Sequence, residues 1–321
     1  MTLTPACCTQ NVVHSILRVV LILCTCAPAF AGGWPLQKDR LFIKVYGGAC
    51  TAGSYYDTDG QLIAELRGSL TEPGDTVQRR FINSEEFEGL LGGVYGEYGL
   101  TDDLTLVLDV PVGSFQLLRK VQILEQLPDN ATNNYQADTT FTRTSPSYYG
   151  IGARYRITSS EKLQTMLSLS LHIPPGFSRP ILNNPDHEFL SDGAFEVRGG
   201  IELGIPASFG WAAFTALYNW RDEELKDEAH FHAEIGFNKV ENAFFKFHVD
   251  VLQSLSSFDN VEFTPRYTLL QENYVSAGAS FTLFLTPTWF ADVDYSVRII
   301  GANTWNLSNV VLGTGLVLDN L

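Results

Sequence analysis

Hydrophobic and polar residues alternate along most of this chain, most clearly between Leu90 and Gly113. Leu104, Leu106, Leu108, Val110 and Val112 fall on one face of an extended chain, with Thr105, Val107 and Asp109 on the other. A period of two marks a strand whose faces meet different surroundings. Before the short polar turn at residues 100–103, Gly92, Val94, Gly96, Tyr98 and Leu100 share a face opposite Tyr95, Glu97 and Gly99. Each arm runs for about ten residues or more, whereas strands of soluble sheets average roughly five or six. Crossing a bilayer as a tilted strand takes about nine to eleven residues. The segment reads as a membrane-spanning hairpin.

The same pattern recurs along the chain. Strands are predicted over residues 38–56, 90–100, 104–113, 148–158, 163–173, 195–205, 211–220, 230–238, 243–252, 267–284, 289–298 and 307–318. Their connections alternate in length. The short ones lie at 100–103, 159–162, 206–210, 239–242 and 285–288; the long ones begin near Asp57, Arg119, Pro174, Arg221, Ser254 and Ile299. Residues 57–86 and 119–147 are polar and read as exposed loops, the first with extension as a hairpin as its alternative, and Asp57 to Gly60 reads as a turn rather than a calcium loop. About twelve strands with one-sided loops predict an all-β fold: a transmembrane antiparallel β-barrel with short periplasmic turns and long extracellular loops. A closed sheet pairs every backbone N–H and C=O inside lipid and leaves no edge. A β-sandwich would have shorter strands and less one-sided loops. Aromatic residues near strand ends (Tyr55, Tyr56, Tyr148, Trp211, Trp220, Phe244, Trp289, Phe290, Trp305) suggest girdles at the two lipid–water interfaces.

Composition changes this picture little. Mean hydropathy is +0.01, the value of a soluble protein, but a barrel escapes that test because its apolar residues alternate with polar ones. The first 31 residues read as a signal peptide, with Arg18, an apolar run from Val19 to Cys24 and small residues at Ala29 and Ala31. A lipoprotein signal ending at Cys24 or Cys26 is the alternative. Residues 32–321 form the barrel. Outside the leader Cys50 stands alone, so the mature fold holds no internal disulfide. The net charge of −15 argues against a nucleic-acid partner. The partners expected are outer-membrane lipid and a small solute.

The inward-facing set carries charges of both signs: Glu97, Asp109, Arg154, Arg156, Glu196, Arg198, Glu202, Glu234, Lys246, His248, Asp250, Asp292, Asp294 and Arg298. These residues could line a polar channel and set solute preference, or pair across the lumen and plug it. Lumen width decides between the two, and both readings stay open. A barrel of about twelve strands is wider than one of eight and narrower than the large porins. A third reading is enzymatic, because Lys246, His248 and Asp250 alternate on one inward face and Asp292 and Asp294 on another, and carboxylate–His groups can activate water. Zinc-ligand spacings, a nucleophile elbow and a phosphate loop are missing from the sequence, so no cofactor or metal is expected.

The opening from Gly33-Trp34-Pro35-Leu36 through residues 38–48 to Tyr55-Tyr56-Asp57-Thr58-Asp59-Gly60 resembles a group of Gram-negative outer-membrane barrels described as transporters. That group includes the family named for the MetA pathway of phenol degradation. Residues 95–111 are similar to the group's recurring hairpin, in which a Gly-Leu-Thr-Asp turn joins two strands. The resemblance covers the first third of the chain. It implies a barrel in the bacterial outer membrane that transports small solutes, hydrophobic or aromatic compounds among them. Barrels of this kind commonly end on an aromatic residue, whereas this sequence ends Asp319-Asn320-Leu321.

Overall fold

The computed structural model describes residues 34–57, 59–70, 78–126, 132–160, 162–175, 194–222, 226–240, 242–255 and 272–319, and every structural statement below concerns them. The leader expected over residues 1–31 lies outside the described residues, as does most of the loop expected after Pro174.

The chain begins with β1 (Leu41–Ala52), followed by the short β2 (Tyr55–Tyr56), β3 (Leu62–Ile63) and β4 (Leu66–Leu70). Two long strands, β5 (Gln78–Gly99) and β6 (Leu104–Gln126), lead to β7 (Thr132–Pro146), β8 (Tyr149–Ser159) and β9 (Gln164–Ile173). Then come β10 (Glu196–Ala207), β11 (Gly210–Arg221), β12 (Glu228–Val240), β13 (Ala243–Ser254), β14 (Asn273–Phe284), β15 (Trp289–Ala302), β16 (Thr304–Trp305) and β17 (Ser308–Leu318). Twelve of these strands close into an antiparallel barrel in the order β1, β5, β6, β8 to β15 and β17, and back to β1. The closing ladder runs from Leu41↔Leu318 to Thr51↔Ser308. At the β1–β5 seam the strands bridge at Ala52↔Phe87, and at its lower end the Gly99 amide donates to the Arg40 carbonyl at 3.0 Å.

Alternation holds around the wall. On β1 Phe42, Lys44 and Tyr46 are buried, while Val45 is 53% exposed. On β9 Met166 is fully buried and Leu169 is 56% exposed. Every barrel strand presents such a row: Val94, Leu106, Ile151, Ile201, Phe214, Phe231, Phe247, Phe281, Tyr295 and Leu312 all point outward and exposed. Soluble monomers rarely expose a contiguous apolar patch of more than a few hundred Å². A continuous apolar belt on a closed wall is a surface for lipid. No described helix is long and apolar enough to cross a membrane.

Three expectations need correction. Residues 119–126 and 132–146, expected as loop, are strand: β6 continues past the barrel and pairs with β7 from Val112↔Pro146 to Gln126↔Thr132. Residues 78–86, read as loop with a hairpin extension as the alternative, follow the alternative: they are the upper part of β5, paired to β6 from Gln78↔Gln126. Both faces of this extension meet water, so its Thr, Asn and Gln residues carry no alternation to read, yet the ladder forms all the same. The aromatic girdle is also thinner than expected. Trp220 and Trp289 are outward and exposed, but Tyr55, Phe290 and Trp305 are buried inside, and Trp211 and Phe244 line the interior. Phe290 has the same parity on β15 as Asp292 and Asp294, and parity rather than residue type sets the face.

Candidate functional site in the barrel lumen

The interior holds charged side chains between two apolar clusters. The extracellular cluster packs Cys50, Ala52, Phe87 and Leu117 of the wall against Tyr55 and Trp305 of the small β16–β2–β3 sheet. The indole of Trp305 stacks on Phe87 with centroids 5.8 Å apart, and Phe87 stacks on Phe115 at 5.2 Å. Burial, with Glu85 and Asp57 nearby, raises the Tyr55 phenol well above its ordinary value. The second cluster lies toward the short turns and contains Phe42, Tyr46, Tyr95, Phe290 and Val311, with Leu36 packed against it.

Leu36 belongs to a segment that enters the periplasmic mouth before β1 begins. Its backbone N–H donates to Thr105 Oγ1 at 2.8 Å, and the Asp39 amide donates to the Gly99 carbonyl at 2.8 Å. Above it a row of rings runs around the wall. Trp211 meets Phe244 edge-on at 5.6 Å, Phe244 meets Phe284 at 5.5 Å, Phe284 meets Phe290 at 5.8 Å, and Phe290 stacks on Phe42 at 5.4 Å. Trp34, Leu36 and the rings of Phe42, Trp211, Phe244 and Phe284 line a cavity of about 480 Å³, whose polar lining includes Lys44, Glu97, Lys246, Ser280, Thr282 and Asp292.

Most of the residues singled out from the sequence meet in a belt beside this cavity. Lys44 Nζ donates to Asp292 Oδ2 at 2.5 Å, reaching from β1 to β15 across β17. Gly313 of β17 makes that crossing possible, since a Cβ there would sit 2.2 Å from Asp292 Oδ1 and 2.3 Å from Lys44 Cε. Lys246 donates to Glu234 at 2.9 Å, and Glu234 also accepts the Trp211 indole N–H at 2.8 Å. Arg154 pairs with Glu97 and lies 3.5 Å from Glu202. His232 Nδ1 stands 2.6 Å from Asp250, and His248 Nδ1 stands 3.6 Å from Asp294.

Higher up, Arg198 donates to Glu196 at 2.7 Å, Arg221 pairs with Glu228, and Tyr148 donates to Asp109 at 2.7 Å. Two residues of the expected set lie apart from both groups. Arg156 is at the periplasmic rim, paired with Asp103 at 2.5 Å. Arg298 is at the extracellular end, 3.3 Å from Glu272 and 4.0 Å over the Tyr274 ring. The sequence-based choice passed over Lys44, His172, Arg221, Glu228 and His232, which all point inward. Strand parity carried that signal for Lys44, His172 and His232, whereas Arg221 and Glu228 lie just beyond the strand ends predicted from the sequence.

No protein-family model matches the chain, and no curated protein does. Among solved structures, an outer-membrane channel from Pseudomonas putida F1 is similar over 92% of this chain and 100% of its own, with a TM-score of 0.56 and 11% identity. A FadL homologue from Pseudomonas aeruginosa matches over 88% of this chain and 91% of its own, with a TM-score of 0.36 and 11% identity. The outer-membrane protein OpdK of the same organism matches over 87% and 98%, with a TM-score of 0.33 and 10% identity. The fold is that of a bacterial outer-membrane barrel, the compartment to which its apolar belt and closed wall are suited.

Proposed function

We propose that this protein is an outer-membrane channel for small solutes, with hydrophobic and aromatic compounds as its favoured cargo. The observation that carries this reading is the cavity of about 480 Å³ inside the barrel, walled on one side by Phe42, Phe244, Phe284 and Trp211. Ligand cavities are typically about 300–1,000 Å³ and largely apolar, with a few placed polar groups. Ring faces and edges hold an aromatic guest in offset or edge-on contact, and the Lys44–Asp292 and Lys246–Glu234 pairs give a polar guest hydrogen-bonding groups. Support for passage comes from the barrel of the same fold from Pseudomonas putida, which is described as a channel.

Inserted into a planar bilayer, the purified chain should give discrete openings. A small neutral aromatic alcohol should interrupt the current in a concentration-dependent way. A bilayer that stays silent with folded barrel inserted would rule out passage. It would favour instead a structural or interaction barrel with a plugged lumen, the reading to which Trp34–Leu36 in the mouth and the ion pairs across the interior lend support.

A further inference from the structure

Charged groups in the wall of the aromatic cavity are engaged with partners of opposite sign. Lys44 has Asp292 at 2.5 Å, Lys246 has Glu234 at 2.9 Å, Arg40 has Asp319 at 2.5 Å, and Glu97 pairs with Arg154. The hydroxyls of Ser280 and Thr282 are not engaged: both side chains line the cavity, and neither hydroxyl makes a hydrogen bond among the described residues. Ser280 is only 4% exposed. Buried polar groups nearly always have a hydrogen-bond partner. Asn238, the other neutral polar side chain of the lining, is exposed near the short turn after β12 and meets water there.

The register of β14 places the two hydroxyls. Ser280 stands between Lys246 of β13 and Asp294 of β15, and Thr282 stands between Phe244 and Asp292. Ser276, Gly278, Ser280 and Thr282 share the inner face of β14, so this strand carries small side chains where its neighbours carry long ones. Phe284 continues that face, and its ring meets Phe244 edge-on at 5.5 Å. A ring resting on Phe244 and Phe284 therefore has Thr282 beside it, with Ser280 roughly 7 Å further along the strand.

We propose that Ser280 and Thr282 are the specificity-determining residues of this cavity, and that they hydrogen-bond the neutral hydroxyl of an aromatic guest whose ring rests on Phe244 and Phe284. The proposal rests on the channel reading and names the polar group that the cargo carries. A hydroxyl both donates and accepts, as Ser and Thr do, so guest and wall can pair in either sense without breaking an ion pair. A carboxylate guest would meet Glu97 and Asp292 in the same lining. An alkylbenzene would leave both wall hydroxyls bare. A site built to hydrogen-bond a hydroxyl discriminates against the analogue that lacks it, because its own polar groups are then unpaired.

The test is calorimetric titration of the folded barrel, in one detergent buffer, with phenol and with toluene, which is of nearly the same size and lacks the hydroxyl. Partition of each compound into micelles is common to wild type and variants, so the readout is the change in the phenol-to-toluene affinity ratio. From wild type to the double variant Ser280→Ala with Thr282→Val that ratio should fall roughly 3- to 10-fold, the worth of one ordinary hydrogen bond. Toluene affinity alone should hold steady or rise. Neither hydroxyl holds another described residue in place, and far-UV circular dichroism confirms that each variant is still a folded barrel. If the double variant does not fold, Thr282→Val, at the less buried position, decides alone. A ratio that the variants leave unchanged overturns the assignment and leaves water as the partner of the two hydroxyls, and a wild type that binds neither compound overturns it too. Binding needs no conduction, so a barrel that is silent in a bilayer yet shows the expected fall in ratio refutes passage and leaves the assignment standing.

Discussion

The guanidinium of Arg154 on β8 pairs with the carboxylate of Glu97 on β5, reaching across β6 on the inside of the wall. Both side chains are 4% exposed. The same guanidinium lies 3.5 Å from Glu202 on β10, and Tyr95 donates its hydroxyl to Glu97 at 2.5 Å. One cation therefore ties together strands that are not neighbours in the sheet. Removing one member of a buried pair strands the other charge, at a cost of about 3–5 kcal/mol, whereas replacing both with apolar groups of similar size is often nearly neutral. Arg154→Ala, which leaves Glu97 and Glu202 both without their cation, should lower the unfolding free energy in urea by about that amount. The triple variant Glu97→Leu, Arg154→Met and Glu202→Leu should lose clearly less. Equal losses in the two would mean that the pair's geometry, rather than the unanswered charge, sets the stability.

The outer face obeys a different rule. Leu169 lies in the middle of β9 and is 56% exposed, whereas Leu163 precedes the strand at the periplasmic turn and is 38% exposed. A guanidinium at the bilayer midplane costs about 2–4 kcal/mol and one near the interface about 0–1 kcal/mol. Leu169→Arg should destabilise the barrel in lipid by the larger amount and Leu163→Arg by the smaller. In detergent above its micelle concentration the difference should shrink. The same penalty at both sites would place Leu169 outside the hydrocarbon layer.

These two faces were legible in the sequence because a strand in a barrel wall has a strict period of two. Val45 and Lys44, or Leu169 and Met166, could be assigned to lipid and lumen without knowing any partner. The upper part of β6 and its pairing with β7 were not legible, because water on both sides removes the alternation that marks a strand. Pairing was not legible either. Lys44 and Asp292 are separated by most of the chain and meet only because β1 and β15 both flank β17. The inward aromatic row was within reach of parity but was read as a lipid girdle, since Trp and Phe near strand ends suit both roles. Side-chain type was a weaker guide there than position.

The periplasmic mouth offers a test of what limits flow. Gly99 closes β5 against the incoming segment so tightly that a Cβ there would lie 1.9 Å from the Gln37 carbonyl oxygen and 2.8 Å from that of Leu36. Backbone atoms cannot give way as a flexible side chain can. Gly99→Ala should therefore displace residues 36–38 from the mouth, and Thr105→Val should loosen the same segment by removing the hydroxyl that accepts the Leu36 N–H at 2.8 Å. Losing one such hydrogen bond costs about 0.5–1.5 kcal/mol, so Thr105→Val should leave the barrel folded. Single-channel conductance should rise in both variants. A conductance equal to wild type in both would show that the narrowest point lies elsewhere.

Trp211 and Phe244 separate stability from solute contact. Trp211 contributes its ring to the aromatic row and its indole N–H to Glu234, which also holds Lys246. Phe244 contributes a ring alone, packed edge-on against Trp211 and Phe284. Trp211→Phe keeps an apolar ring in place but leaves a carboxylate short of a donor, and hydrogen bonds to charged groups are worth about 1.5–3 kcal/mol. Phe244→Ala removes two edge-on ring pairs worth about 0.5–1.5 kcal/mol each, along with the surface they offer a guest. If the row of rings is where a solute rests, Phe244→Ala should shorten the current interruptions caused by a neutral aromatic alcohol. Trp211→Phe should lower stability while changing the length of those interruptions little. The opposite pattern, with interruptions shortened by Trp211→Phe and untouched by Phe244→Ala, would place the resting solute at the polar wall of the cavity and away from its rings.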